Sequence, residues 1–243
     1  MIFDLHSHIL PYTDDGARDM EEALAMARIA ADSGVRVMVA TPHANQRGLY
    51  ENYATSRMGE IFRILNNKIQ DSRIPLTLLP GMEIYASADM VEWIRRGRLC
   101  PMAGTSLFLI EFPFDCPKRR MEYLLEEMLE EGCVPLLAHP ERYYCVQDEP
   151  MLLQDFRKMG CFIQLNKGSV LGRFGPLSCE AAKSILDWKL ADVVGSDAHR
   201  ADRRTPDMEP FRQYLMEEYG WEEAVRLLEE NPKRLLEGVN GII

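Results

Sequence analysis

Short apolar runs rich in β-branched and aromatic residues alternate with stretches of helical periodicity along the whole chain. This is the pattern of an α/β protein built on a parallel sheet. Seven such units can be counted, with strands predicted at Ile2–Leu5, Val35–Thr41, Leu76–Pro80, Leu107–Phe112, Val134–Ala138, Phe162–Asn166 and Val193–Gly195. The clearest helix is Met20–Ser33: Asp19 can cap it with Glu22 three positions on, Leu24, Ala27 and Ala31 recur at helical spacing, and Gly34 ends it. Others are predicted over Thr55–Ile69, Ala88–Arg96, Arg119–Glu131, Met151–Lys158 and Glu180–Trp188. Two more, Glu209–Tyr219 and Glu222–Glu230, close the chain, with a last turn after Asn231-Pro232.

No internal repeat, low-complexity tract or Ser/Gly-rich linker interrupts the pattern, so residues 1–243 read as one domain. Two architectures fit: a doubly wound open sheet, or a barrel of parallel strands ringed by helices. An open sheet gathers its functional groups at one switch point, whereas in a barrel nearly every strand delivers a residue to the same C-terminal rim.

At 47% hydrophobic and 27% charged, the composition is that of a globular protein. The formal net charge of −10 argues against a nucleic-acid surface, which needs an excess of Lys and Arg. Cys100, Cys116, Cys133, Cys145, Cys161 and Cys179 form no CxxC pair and read as reduced thiols. No basic n-region or apolar h-region opens the chain, and no apolar run approaches the roughly 18 to 20 residues of a membrane span. A cytoplasmic protein is expected.

The histidines decide between the architectures. There are five, and each follows a predicted strand: His6 and His8 in LHSH, His43 in ATPH, His139 in LLAHPER and His199 in VVGSDAH. One such histidine is more often structural than a ligand; five at equivalent places favour the barrel and a shared site. Carboxylates stand at the same level: Asp15 in TDDG, Glu83 in LLPGMEIY, Glu111 in FLIEFP and Asp197 in GSDAH. A carboxylate such as Glu111 inside an apolar strand is costly to bury unless a cation or donor receives it. On an extended strand residues i and i+2 share a face, so His6 and His8 can chelate one ion together. Imidazole and carboxylate without thiolate suit manganese, iron, zinc or cobalt. Nine ligands are too many for one ion, so two or three are implied, with at least one carboxylate bridging.

The ordered series HSHILPYTDDG, ATPH, PGMEIY, IEFP, AHPER and GSDAH resembles the PHP (polymerase and histidinol phosphatase) superfamily, from His6 to about Pro206. More narrowly it resembles the manganese-dependent bacterial protein-tyrosine phosphatases of capsule and exopolysaccharide operons. The resemblance implies a distorted (β/α)7 barrel, TIM-barrel-like, with up to three divalent ions, Mn2+ foremost. It implies that His6, His8 and Asp197 bind one metal, that Glu83 bridges to a second held by Glu111 and His139, and that Asp15, His43 and His199 hold the third. Asp14 competes with Asp15 for its place. Arg142 of HPER and one arginine after DAH, Arg203 or Arg204 with Arg204 preferred, would contact phosphate, and His199 joins them at the reacting group. The implied substrate is a tyrosine-phosphorylated protein, a bacterial tyrosine autokinase of polysaccharide export. A histidinol-phosphate-type small-molecule phosphatase and a non-catalytic PHP interaction domain are the alternatives.

A cysteine-nucleophile phosphatase needs arginine six positions after its cysteine. Those positions hold Ser106, Glu122, His139, Met151, Lys167 and Ile185, so that route is excluded. No GxxxxGK[ST] loop is present either. Met20, Met26, Met121 and Met128 read as core filler, Asn166 as a turn or ligand-orienting residue, and Tyr12, Tyr50, Tyr143 and Tyr144 as rim packing. The loop Gln46–Ala54 could close over substrate, and the oligomeric state is left open.

Overall fold

In the computed structural model, which describes residues 1–238, the expected alternation is an α/β fold of parallel strands. The described strands are β1 (Ile2–Ser7), β2 (Val35–Ala40), β3 (His43–Ala44), β4 (Thr77–Pro80), β5 (Glu83–Tyr85), β6 (Leu107–Glu111), β7 (Val134–Ala138), β8 (Phe162–Asn166) and β9 (Val193–Gly195). They form two sheets, in the orders β1-β2-β4 and β3-β5-β6-β7-β8-β9, and every pairing is parallel. β1 is buried throughout, as expected of a strand covered on both faces.

Two of these strands escape the sequence pattern. β3 and β5 continue β2 and β4 after breaks at Thr41-Pro42 and Gly81-Met82, and pair with each other where β2 pairs with β4. Pro42 has no N–H to give a ladder. β1 runs two residues beyond its predicted end, because His6 and Ser7 are polar but wholly buried. The chain leaving β9 is hydrogen-bonded to the end of β1: Asp197 N donates to His6 O at 2.9 Å and His8 N to Ala198 O at 2.8 Å. Asp4, fully buried, fastens the junction by accepting from the backbone of both His6 and Ser196.

The helices follow their signals with small displacements. Asp19 caps Met20–Asp32 by accepting from Glu22 N at 2.9 Å; Glu22 itself reaches back to Arg18 N rather than Asp19 N. The helix predicted from Glu180 begins four residues earlier, as Pro176–Asp187, with Pro176 in its first turn. Among the described residues no separate last turn follows Asn231-Pro232. Trp221–Val225 runs through a π-wound stretch, Arg226–Glu230, into Asn231–Glu237, which accommodates Pro232 without breaking the helix. Met26, Met121 and Met128 are fully buried in the core, and Met20 packs against it. Among the described residues no helix is long and apolar enough to cross a membrane.

Candidate metal centre

Because the strands are parallel, their C-terminal ends share one side of the sheets, and there the nine predicted side chains converge. Glu83, on β5, is the centre of the cluster. Its Oε1 lies 2.9 Å from His139 Nε2 and 3.3 Å from His6 Nε2, and its Oε2 lies 2.9 Å from His43 Nδ1 and 3.3 Å from His8 Nε2. His6 and His8 point the same way off β1, with their Nε2 atoms 3.2 Å apart. Asp197 Oδ1 stands 3.6 Å from His6 Nε2 and 3.4 Å from His8 Nε2. Glu111, at the end of β6, faces His139 at 3.6 Å and His43 at 3.8 Å. Asp15 reaches His199 Nε2 at 3.4 Å and His43 Nε2 at 3.7 Å.

Three overlapping groups have ligand atoms close enough to share an ion: His8, Asp15, His43 and His199; His6, His8 and Glu83; and His43, Glu83 and Glu111. The donor set fits a hard or borderline divalent cation. The outward nitrogens of three imidazoles are already engaged: His6 Nδ1 with Gln164 Oε1 at 2.9 Å, His8 Nδ1 with Asp14 Oδ2 at 2.7 Å, and His199 Nδ1 with Asp197 O at 3.0 Å. Such partners accept, so Nδ1 carries a proton and Nε2 is the nitrogen left for a metal. His199 Nε2 and Glu83 Oε2 are buried without a well-formed hydrogen bond, which a cation would relieve.

The electrostatics point the same way. Burial, with the neighbouring charge of Glu83, pushes the Glu111 carboxyl up to about 8. Burial works against ionised Glu83 too, but His6 and His43 outweigh it and hold that carboxyl well below the usual carboxylate range. Burial thus disfavours an ionised Glu111, and a cation beside it would favour that form. Local strain gathers here as well: His139, Asp197 and Arg204 adopt positive φ of 35°, 49° and 46°.

The two adjacent aspartates separate by direction. Asp15 faces the histidines from the cleft with its side chain 47% exposed, while Asp14 is buried behind His8 and also accepts from His43 N at 2.9 Å. Gly16 makes the turn possible, since a Cβ there would lie 2.0 Å from His8 O. Asp14→Asn should weaken metal affinity by about 10- to 100-fold with the fold intact. Calorimetric titration with Mn2+ reads this, and an unchanged affinity would remove Asp14 from the site.

Asp15, His43, Glu83, Glu111, His139, Asp197 and His199 line a cleft of about 240 Å³ together with Arg142 and Arg204. Arg203 is exposed and outside it. Arg142 does not pair with Glu141; its guanidinium lies over the rings of Phe114, at 4.4 Å, and Phe174, at 4.7 Å. Arg204 bonds Asp197 Oδ2 at 2.5 Å. Asn166 serves both roles open to it, accepting from Gly168 N and donating to Asp197 Oδ2 at 2.6 Å. Of the tyrosines, Tyr143 is core, and Tyr12 and Tyr144 are exposed. Tyr50 stacks on His43 with centroids 5.2 Å apart and lines the cleft, a placement that rim packing does not describe. Gln164, Phe114 and Phe174 also go beyond the sequence reading. The criterion that singles out Glu111, a polar residue inside an apolar strand, applies equally to Gln164; the two phenylalanines carry no such signal.

Glu141 is fully buried, accepts from Asn166 N at 3.1 Å, and is pushed up to about 7 by burial. A carboxyl with a folded pKa above its unfolded value binds more proton when folded, so its stabilisation is complete at low pH and is lost as pH rises through about 7. Glu141→Gln should remove that slope, moving stability in the variant's favour by up to about 3 kcal/mol between about pH 5 and 8. Denaturant midpoints across that range check it, and identical slopes in the two proteins refute it.

With this geometry in hand, the chain can be set beside known proteins. It matches the family described as capsular polysaccharide synthesis, CpsB/CapC, over residues 2–237. It is 34% identical over 235 residues to the tyrosine-protein phosphatase YwqE of Bacillus subtilis (strain 168), covering 97% of this chain and 91% of that one. It is 28% identical over 240 residues to the tyrosine-protein phosphatase CpsB of Streptococcus pneumoniae, covering 97% and 98%. In three dimensions it superposes, with a TM-score of 0.88 and 35% identity over 97% of this chain and 94% of the other, on a crystal structure from the set of YwqE from Bacillus subtilis and CpsB from Streptococcus pneumoniae, described as unique metal-dependent tyrosine phosphatases. The lactonase Lmo2620 from Listeria monocytogenes shares the fold alone, at 13% identity, a TM-score of 0.63 and coverage of 96% and 93%. The chain belongs to the CpsB/CapC family of capsular polysaccharide synthesis.

Proposed function

We propose that the protein is a metal-dependent tyrosine-protein phosphatase that hydrolyses phosphotyrosine in a protein of capsule or exopolysaccharide synthesis, its target being the tyrosine autokinase of that system. The observation that carries the reading is the convergence of five histidines, four carboxylates and two arginines on one cleft. The two sheets are read as one distorted (β/α)7 barrel in a single domain. The continuations of β2 into β3 and β4 into β5, and the bonds between β1 and the chain leaving β9, support that reading. Six free cysteines suit a reducing compartment, and the cytoplasm is the one proposed.

The metals are assigned as up to three divalent ions, manganese first. His6, His8 and Asp197 would hold one, Glu83, Glu111 and His139 a second, with Glu83 shared between the two, and Asp15, His43 and His199 the third. Bound there, divalent ions lower the pKa of a bound water to near neutrality and offset phosphoryl charge. The rest falls to the chain's own groups. Arg142, its charge held against two rings rather than a carboxylate, offers a guanidinium fork to the phosphoryl oxygens, and Arg204 adds a second. His199 lines the same cleft and would act at the reacting group. Asp14, Gln164 and Asn166 keep the ligands in register. A tyrosyl leaving group, with a phenol pKa of about 10, needs less protonation than an alkoxide, so a dedicated general acid is dispensable. Tyr50 and Phe114 give the cleft aromatic walls suited to a phenyl ester.

The test compares Mn2+-loaded protein on phosphotyrosine peptides, histidinol phosphate and a small aryl phosphate. Efficient turnover of the peptides is expected. Turnover of small esters alone would defeat the protein-substrate reading, and a metal content far below one ion per chain would return the protein to the class of non-catalytic domains.

A further inference from the structure

Two guanidinium groups converge on the phosphate end of the cleft from different loops, Arg142 after β7 and Arg204 after β9. Like charges repel and long stems rotate freely, so a neighbour that holds both in place before an anion arrives lowers the cost of binding it. Phe174 is that neighbour: its ring centre lies 4.7 Å from Arg142 Cζ and 5.4 Å from Arg204 Cζ, both within reach of a cation–π contact. Arg204 has Asp197 as a further partner, whereas Arg142 is met by aromatic rings, Phe114 and Phe174.

The loop is shaped around this ring. Arg173 N donates to Gly168 O at 2.8 Å and Gly172 N to Ser169 O at 3.0 Å, which pins the backbone leading into Phe174. The ring rests on Gly168, where an added Cβ would come within 2.7 Å of Phe174 Cε2. Phe174 is not one of the residues that make up the buried hydrophobic core, so filling that core is not its task.

We propose that Phe174 is a positioning residue whose ring holds Arg142 and Arg204 together at the phosphate end of the cleft, and so sets the affinity for a phosphate dianion, whether a substrate ester or released inorganic phosphate. Its consequence for turnover rests on the phosphatase reading; its consequence for phosphate binding does not.

The test uses the full chain loaded with Mn2+, with inorganic phosphate binding read by calorimetry and KM and kcat read on p-nitrophenyl phosphate. Phe174→Leu keeps most of the bulk and removes the π face. The phosphate Kd and KM should rise together, about five- to tenfold, with a smaller change in kcat and with metal content and Tm unchanged. Phe174→Tyr should stay within about twofold of wild type. In an Arg142→Ala background the leucine exchange should cost less, because one of the two supported groups is already gone. Equal phosphate affinity in wild type and Phe174→Leu at equal metal content overturns the proposal. Equal losses in the leucine and tyrosine variants also overturn it, since they indicate loop packing instead. A wild-type protein that binds phosphate yet hydrolyses no ester defeats the phosphatase reading, while the calorimetric comparison still decides the role of Phe174.

Discussion

Glu83→Gln should lower aryl phosphate hydrolysis by about 10³-fold or more, equivalent to about 4 kcal/mol of transition-state stabilisation. The substitution keeps shape and removes one charge, so its effect is electrostatic. Glu83 is the carboxylate within 3.3 Å of four imidazoles, those of His6, His8, His43 and His139. A neutral amide there has one lone-pair oxygen where the carboxylate has two, and it cannot bridge two cations. Elemental analysis should find at least one fewer ion per chain. The thermal stabilisation that Mn2+ gives the wild type, of the order of 3 kcal/mol at a hundredfold excess over Kd, should shrink in parallel. Full metal content with a rate within tenfold of wild type would show that Glu83 is not the centre of the site.

Arg142→Ala is expected to reduce kcat/KM on phosphotyrosine peptides by about a hundredfold, close to 3 kcal/mol, through both a higher KM and a lower kcat. The two arginines differ in what already holds them. Arg204 is bonded to Asp197 Oδ2, so part of its charge is spent on a carboxylate, whereas Arg142 is held by the faces of Phe114 and Phe174 and keeps its donors for an incoming anion. Lysine should not restore activity, because it lacks both the fork and the planar face. A loss of no more than twofold, below about 0.4 kcal/mol, would take Arg142 out of the phosphate site.

How much of this was legible beforehand differs from residue to residue. β7, β8 and β9 match the predicted strands to the residue, because each is a compact apolar run between polar ends. β1 is longer than its apolar pattern because His6 and Ser7 are polar yet wholly buried, His6 in the site and Ser7 with its Oγ donating to Val39 O on β2. β3 and β5 escape the pattern, since two or three residues carry no period; what makes them strands is their neighbours, His43 opposite Glu83 and β5 against β6. The histidines and carboxylates could be named from position along the chain. The difference between Asp14 and Asp15 could not, because it depends on which way one turn points over His8. Phe174 was beyond reach altogether, as an ordinary loop phenylalanine until Arg142 and Arg204 are brought to it.

The alternation of strand and helix, the nine candidate ligands and the absence of a C-x5-R nucleophile are legible in the bare chain, because they are properties of local pattern and residue chemistry. Which imidazole nitrogen faces inward, which aspartate of the pair enters the cleft and which arginine of Arg203 and Arg204 lines it emerge on folding. Those are questions of direction between groups far apart in the chain, such as His6 and Gln164 or His8 and Asp197, and direction is set by packing that no local run of residues encodes.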